Sequence, residues 1–181
     1  MEDPAKRSTG RRGSARLVVS AASAIFLLIM DARGENPVER PVPIAVVDFD
    51  YIDTSGEARN QADKHRALLA AFVSAIRDDL ARGDKYRVIA LACQPEPCTV
   101  AHVDPATLLG KAREAGVSLL LYGGIHKAST LVQWAKVQVV DVAADKLVFD
   151  RLLTFRGDDE RAWRRAEAFL VRDLKTYEPT E

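Results

Sequence analysis

One short run constrains the fold of this chain more than any other: Val117–Tyr122 (VSLLLY), held between Gly116 and the pair Gly123-Gly124. A strand buried on one face alternates apolar and polar residues, whereas a near-continuous apolar run is expected of a strand covered on both faces. Such a strand belongs inside a sheet, and the sequence on either side supplies the neighbours. Upstream, Ile44–Phe49 (IAVVDF) is a first apolar strand, and the polar stretch Asp50–Asn60, with Thr54-Ser55-Gly56, reads as a loop. A helix follows from Asp63, placed to cap its start, to Arg82. Leu68, Leu69, Phe72, Val73, Ile76 and Leu80 recur on it at spacings of three and four, and Gly83 is placed to stop it. Tyr86–Leu91 is a second strand. Asp104-Pro105 then opens a short helix with Leu108, Leu109, Ala112 and Ala115 on its inner side.

Downstream, Gly123-Gly124 marks a bend or a close approach of backbones. Leu131–Val142 and Lys146–Arg156 are two long strands whose short joint, Ala143-Ala144-Asp145, makes them a hairpin. Lys136 and Gln138 turn one face of the first towards water. After Gly157, the acidic trio Asp158-Asp159-Glu160 suits the positive end of a helix dipole, and Arg172 and Lys175 suit its other end. Trp163, Ala166, Phe169 or Leu170, Leu174 and Tyr177 form its inward stripe. The order β-α-β-α-β-β-β-α predicts one small α/β (α+β) domain over 44–177, a mixed sheet with helices packed on it, preceded by an N-terminal signal or anchor helix.

That preceding segment carries the clearest signal of compartment. Lys6–Arg16 is basic, and Leu17–Met30 is an uncharged apolar stretch of 14 residues. The length suits the hydrophobic region of an export signal and falls short of the roughly 20 residues of a spanning helix. A cationic flank stays on the cytoplasmic side and orients the rest outward. Asp31-Ala-Arg-Gly34 follows the stretch without a small-x-small cleavage site, and Ala22-Ser-Ala24 lies inside it. Both a cleaved signal and retention as an inner-membrane anchor by residues 17–30 therefore stand. No cysteine accompanies the segment, which excludes a lipoprotein, and Arg11-Arg12 lacks the bulky followers of a twin-arginine signal. The expectation is an exported, periplasmic protein with a leader over 1–32 and a Pro-rich linker over 33–43 (RGENPVERPVP), touching the membrane only through an uncleaved leader.

Charge supports this division. The chain balances 26 basic against 26 acidic residues, but residues 1–34 hold six basic and three acidic, leaving 20 against 23 in the body. A mildly acidic body lacks the electrostatic footprint of a nucleic-acid binder, so no nucleic-acid partner is expected. Cys93 and Cys98 enclose Gln-Pro-Glu-Pro; an even count at close spacing in an exported chain points to a disulfide. Free thiols are one alternative. A zinc site is another, from Cys93, Cys98 and His102 with a remote fourth ligand such as His65 or His126.

With these elements placed, the chain resembles exported bacterial proteins of domain-of-unknown-function families 2380 and 3280. The likeness is carried by IAVVDFDYIDTSGE, the helix after it, YRVIAL with its two-cysteine turn, and the later stretch from Glu114 to Leu170. Gly116, Lys127-Ala-Ser129, Asp141-Val142, Arg156-Gly157 and Trp163-Arg164-Arg165 match family positions. Ala143-Ala144-Asp145 departs from the usual Thr-Gly turn, which implies a looser hairpin. The element order is also similar to the N-terminal domain of TolB and to envelope assembly proteins of the CsgG and FlgO type. That resemblance implies a domain that offers surfaces to other envelope proteins and performs no chemistry.

The residues themselves offer few reactive constellations. Asp48-Phe-Asp50 beyond a strand resembles the opening of haloacid-dehalogenase phosphatases, in which one carboxylate attacks phosphorus and both help hold magnesium. Gly157-Asp158-Asp159 mimics their late acidic motif, yet Ile52 stands where that pattern wants Thr. No G-x-S-x-G elbow and no phosphate-binding glycine loop is present. Asp50, Asp53 and Glu57 match no calcium-loop spacing. No metal ligand set and no cofactor is assigned. The expected function is a non-enzymatic protein-binding or assembly module, with Asp53, Thr54, Ser55, Trp163 and Arg164 as its candidate surface. The alternatives are a small magnesium-dependent phosphatase using Asp48 and Asp50, and a small-molecule-binding domain with its pocket near Thr54, Ser55 and Gly123.

Overall fold

The computed structural model describes residues 40–94 and 97–178. The expected leader and its apolar stretch, and all but the end of the expected linker, lie outside the described residues. No helix among the described residues is long and apolar enough to cross a membrane.

Six strands and three helices follow the expected alternation with one addition. β1 (Val42–Val46) is followed after three residues by β2 (Asp50–Asp53), then α1 (Ala62–Ala81), β3 (Tyr86–Val88), α2 (Pro105–Glu114), β4 (Leu119–Lys127), β5 (Val132–Asp141), β6 (Lys146–Arg156) and α3 (Glu160–Thr176). The strand order is β3-β1-β4-β5-β6, with β2 also paired to β4. β1 runs parallel to β3 and β4, β2 parallel to β4, and β4-β5-β6 form an antiparallel meander. This is the mixed α+β sheet expected.

β2 is the addition, lying where a loop was expected. β1 pairs with Leu119–Leu121 and β2 with Gly124–Lys127, so both run along the same neighbour in two segments. Between them the chain leaves the ladder to meet the cysteine loop: Asp48 N–H donates to the Cys98 carbonyl at 2.8 Å. β4 is longer than the apolar run, because the ladder passes straight through both glycines without a bend. Gly123 instead permits close packing: a Cβ there would lie 2.4 Å from the Lys136 carbonyl oxygen and 2.9 Å from the Phe49 ring. β3 ends at Val88, three residues sooner than expected.

The main core fills one face of the sheet. There Phe72, Val73, Ile76 and Leu80 of α1, and Trp163, Ala166, Leu170, Val171 and Leu174 of α3, pack on Ile44, Leu121, Ile125, Ala135, Val137 and Phe149. The other face is covered only in part. Leu108 and Ala112 of α2, with Cys93 and Cys98, pack on Ala45, Val47, Val117, Leu120 and Val142. The first half of β4 is thus covered on both sides, as its composition demands; the second half is not.

The helix ends show local chemistry at work. α1 begins at Ala62 with Gln61 before it and no side-chain cap, and Asp63 sits inside the first turn instead of capping it. Asp104 caps α2 by accepting from Thr107 N–H at 3.0 Å, and Asp159 caps α3 by accepting from Ala162 N–H at 2.8 Å. Ala115 is exposed, and Leu170, not Phe169, points inward. The hairpin turn is held by Asp141, whose carboxylate accepts from Ala143 N–H and Ala144 N–H, each at 2.9 Å. Asp145 takes the left-handed φ of 50° that glycine would otherwise supply.

Candidate functional site

Alternation along the strands brings one mostly polar row to the core face at the sheet's end. Asp53, Lys127, Gln133 and Phe155 lie side by side across β2, β4, β5 and β6. The N-terminal ends of α1 and α3 close over this row, adding His65 and Asp158. Lys127 and Gln133 are fully buried and His65 is nearly so.

Asp158 is the hub. It accepts from Lys127 Nζ at 3.1 Å, Lys64 Nζ at 3.1 Å and Gln133 Nε2 at 3.3 Å, and His65 Nε2 lies 2.8 Å and 2.9 Å from its two oxygens. A ring nitrogen facing a carboxylate in this way is the one that carries a proton. Lys127 also donates to Glu57, which accepts from Gln61 as well. Asp53 lies 3.9 Å from His65 Nδ1 and accepts from Ser55 N–H at 2.9 Å and Ser55 Oγ at 2.6 Å. Tyr51 stacks on the His65 ring at 5.0 Å between centroids.

The electrostatics follow from these partners. Burial works against the charge of Asp158, but hydrogen bonds from His65, Lys64 and Lys127 outweigh it and hold the carboxyl below its ordinary range. The Lys127 ammonium does the same for Glu57, and the Ser55 hydroxyl for Asp53. Burial favours a neutral Lys127, yet Glu57 and Asp158 overcome this and raise it above the usual lysine value. Burial pushes Tyr51 upward, helped by the nearby carboxylates. A lysine held in its protonated form is no nucleophile, and carboxylates held ionised are poor proton donors. The cluster is therefore suited to fixing the starts of α1 and α3 against the sheet.

The candidate residues from the sequence fall in several places. Asp48 Oδ1 accepts from Arg77 Nη2 at 2.9 Å and Oδ2 from Cys98 N–H at 3.0 Å, so both oxygens are occupied in anchoring the cysteine loop. Asp50 lies on the opposite face of the sheet from Asp53, its Oδ1 3.9 Å from His102 Nδ1. Thr54 Oγ1 is 2.7 Å from His126 Nε2. Trp163, placed by the sequence both on the inward stripe of its helix and among the candidate surface residues, lies in the core: at 2% exposure it packs edge-on against Phe72 and Phe155. Arg164 is exposed and pairs with Glu160 at 3.3 Å. Asp53, Thr54 and Ser55 thus adjoin one another, while Trp163 and Arg164 belong to α3. A Cβ on Gly123 would meet the Lys136 carbonyl and the Phe49 ring, so no side chain fits at that point. Cys93 and Cys98 are joined in a disulfide, and no group of three or more His, Cys, Asp and Glu able to hold a metal occurs among the described residues.

Two features escaped the sequence reading. Lys127 and Gln133 are one; each stands two residues from a core-facing Ile125 or Ala135, so period-two counting places them inside. The uncovered half of the outer sheet face is the other. Ile52, His126 and Trp134 form one row across β2, β4 and β5, and Asp50, Gly124, Lys136 and Leu152 the next, extending to β6. Ile52 is 57% exposed, Trp134 40% and Leu152 60%, and a shallow groove of about 250 Å³ runs between them. His126 packs edge-on against Trp134 at 5.2 Å.

Sheet and helices together describe a small mixed α+β domain, and its sequence places it. The model of family DUF3280, described as a protein of unknown function (DUF2380), matches residues 42–174, and the chain belongs to that family. No match is found among curated proteins. Similar solved structures include the LpoB C-terminal domain from Escherichia coli, 14% identical over 67% of this chain and 87% of that one, with a TM-score of 0.47. PelC from Paraburkholderia phytofirmans, solved as a dodecamer, is 16% identical over 75% and 86%, with a TM-score of 0.47. TolB from Acinetobacter baumannii is 14% identical over 78% of this chain and 30% of its own, with a TM-score of 0.45. None of these likenesses bears on what this chain does.

Proposed function

We propose that this is an exported envelope protein whose domain binds another protein across the uncovered half of its sheet, without performing chemistry. Residues 1–32 act as the export leader or anchor in this reading, and 33–43 as the linker. The observation that supports it most is the adjacency of Ile52, Trp134 and Leu152 at the exposures given above. Monomeric surfaces rarely keep large apolar side chains contiguous, and an aromatic rimmed by Lys136, Asp50 and His126 is the usual anatomy of a contact centre. The occupied oxygens of Asp48, and a Lys127 ammonium held between Glu57 and Asp158, favour binding over catalysis.

A photo-crosslinking amino acid at position 134, in the full chain expressed in its own envelope, tests this. A discrete adduct with one protein is expected, lost in an Ile52→Ser/Leu152→Ser variant and absent when the crosslinker sits at exposed Glu114 on α2. The same adducts from both positions would refute the assignment. Magnesium-dependent phosphatase turnover abolished by Asp48→Asn would instead favour the enzyme.

A further inference from the structure

The outward face of α3 carries a row of cations. Arg161, Arg164, Arg165, Arg172 and Lys175 are all exposed. At 3.6 residues per turn they fall within an arc of about 100° and span about 21 Å of helix. Ala168 lies at the centre of that arc, and every charged residue within it is basic. The acidic residues of α3 lie elsewhere: Glu167 is buried, Asp173 pairs with Arg151 at 3.0 Å, and Glu160 stands at the edge, paired with Arg164. Among the described residues no carboxylate forms an ion pair with Arg161, Arg165, Arg172 or Lys175. The rest of the body, residues 35–159 and 177–181, holds 15 basic against 20 acidic residues, so the cations are gathered on an otherwise acidic body.

Phe169 flanks the arc, 39% exposed, with the Arg172 guanidinium 4.8 Å from its ring centroid. A single convex helix with a row of cations and an aromatic at their margin is poorly shaped to receive a protein segment. Protein contact centres are also depleted of charge. A planar array of anions fits it: long basic side chains reach headgroups while their stems and Phe169 meet the acyl boundary. We propose that α3 rests on a membrane surface through anionic phospholipid headgroups. The face lies on the opposite side of the sheet from Trp134, so the inference stands whether or not that side takes a protein.

The test uses the full chain with its disulfide intact and one added thiol, carrying an environment-sensitive fluorophore at Ala168→Cys or, as control, Glu114→Cys on α2. Each is mixed with vesicles of phosphatidylcholine alone, or with part of it replaced by phosphatidylglycerol. The label at 168 becomes shielded from an aqueous quencher only on the anionic vesicles, and added salt reverses this; the label at 114 stays accessible throughout. Arg161→Gln/Arg165→Gln/Arg172→Gln weakens the shielding about fivefold per cation, or about a hundredfold in all. Attachment through the leader alone would hold the chain on both vesicles without shielding 168. A residue-168 label equally accessible on both vesicle types, or unchanged shielding in the triple variant, would overturn the proposal. Shielding that requires added protein instead of lipid would also overturn it.

Discussion

Asp158 shows how one side chain organises the interior polar cluster. Its carboxylate meets Lys127, His65, Lys64 and Gln133, and breaking a buried ion pair from one side leaves the partner charge stranded. Asp158→Asn should therefore cost about 3 kcal/mol, read from urea denaturation at neutral pH. Because the folded carboxyl titrates below its ordinary 3.8, its stabilisation is fully present above that value and is lost as pH falls through the folded one. The variant should accordingly show a weaker loss of stability on acidification. Glu167 has the opposite sign. Burial raises its carboxyl above 4.5 despite the nearby Arg82 and Lys175, and its Oε1 has no partner among the described residues. At neutral pH its charge costs stability; the cost is relieved as pH falls through the raised folded value and is gone below 4.5. Glu167→Gln should raise Tm by about 3 °C at pH 7, with the gain vanishing in acid. Glu167 drew no notice in the sequence. Asp158 read as part of an acidic helix start, which is correct but incomplete, since its partners come from elements 31 and 93 residues away.

Among the elements, β4 carries the most. It pairs with β1, β2 and β5, and Gly123 sets how closely β5 approaches it. Gly123→Ala should cost about 3 kcal/mol, since the added methyl would strike backbone. Gly124→Ala, whose Cβ would meet the Asp50 carbonyl at 3.2 Å, should cost less, and thermal unfolding of the pair orders them. The helices and the hairpin were legible because their apolar stripes and short joint leave one reading. β2 was not, because its sequence, DYID, is polar in composition and its place in the sheet comes from backbone pairing with the far half of β4. The covered half of the sheet was legible from Val117–Tyr122, and the bare half was not. Composition along one strand cannot say where a helix on another segment stops.

Across the whole molecule, the two clusters share the sheet but are closed differently. The larger is sealed by two helices, the smaller by one short helix and the cysteine loop. A bridge spanning so few residues removes about 2 kcal/mol of unfolded-chain entropy, so it trims the ensemble without holding the fold. Adding reductant should lower the unfolding free energy from urea denaturation by about that amount while far-ultraviolet circular dichroism of the folded chain stays unchanged. A collapse of the spectrum would mean that the smaller cluster cannot persist without its sulfur link.

The strand order leaves the sheet lopsided at its margins. Among the described residues β6 pairs only with β5 and leaves a long flank of 11 residues unpaired, whereas the far side ends in β3, with three, and β2, with four. Growth of such a sheet by borrowed strands is polarised. Two copies could join long flank to long flank and stop there, because what each then presents is too brief to template a third. Lys146, Asp150, Arg151 and Arg156, spaced along that flank, make even the first joining selective for a strand of matching charge.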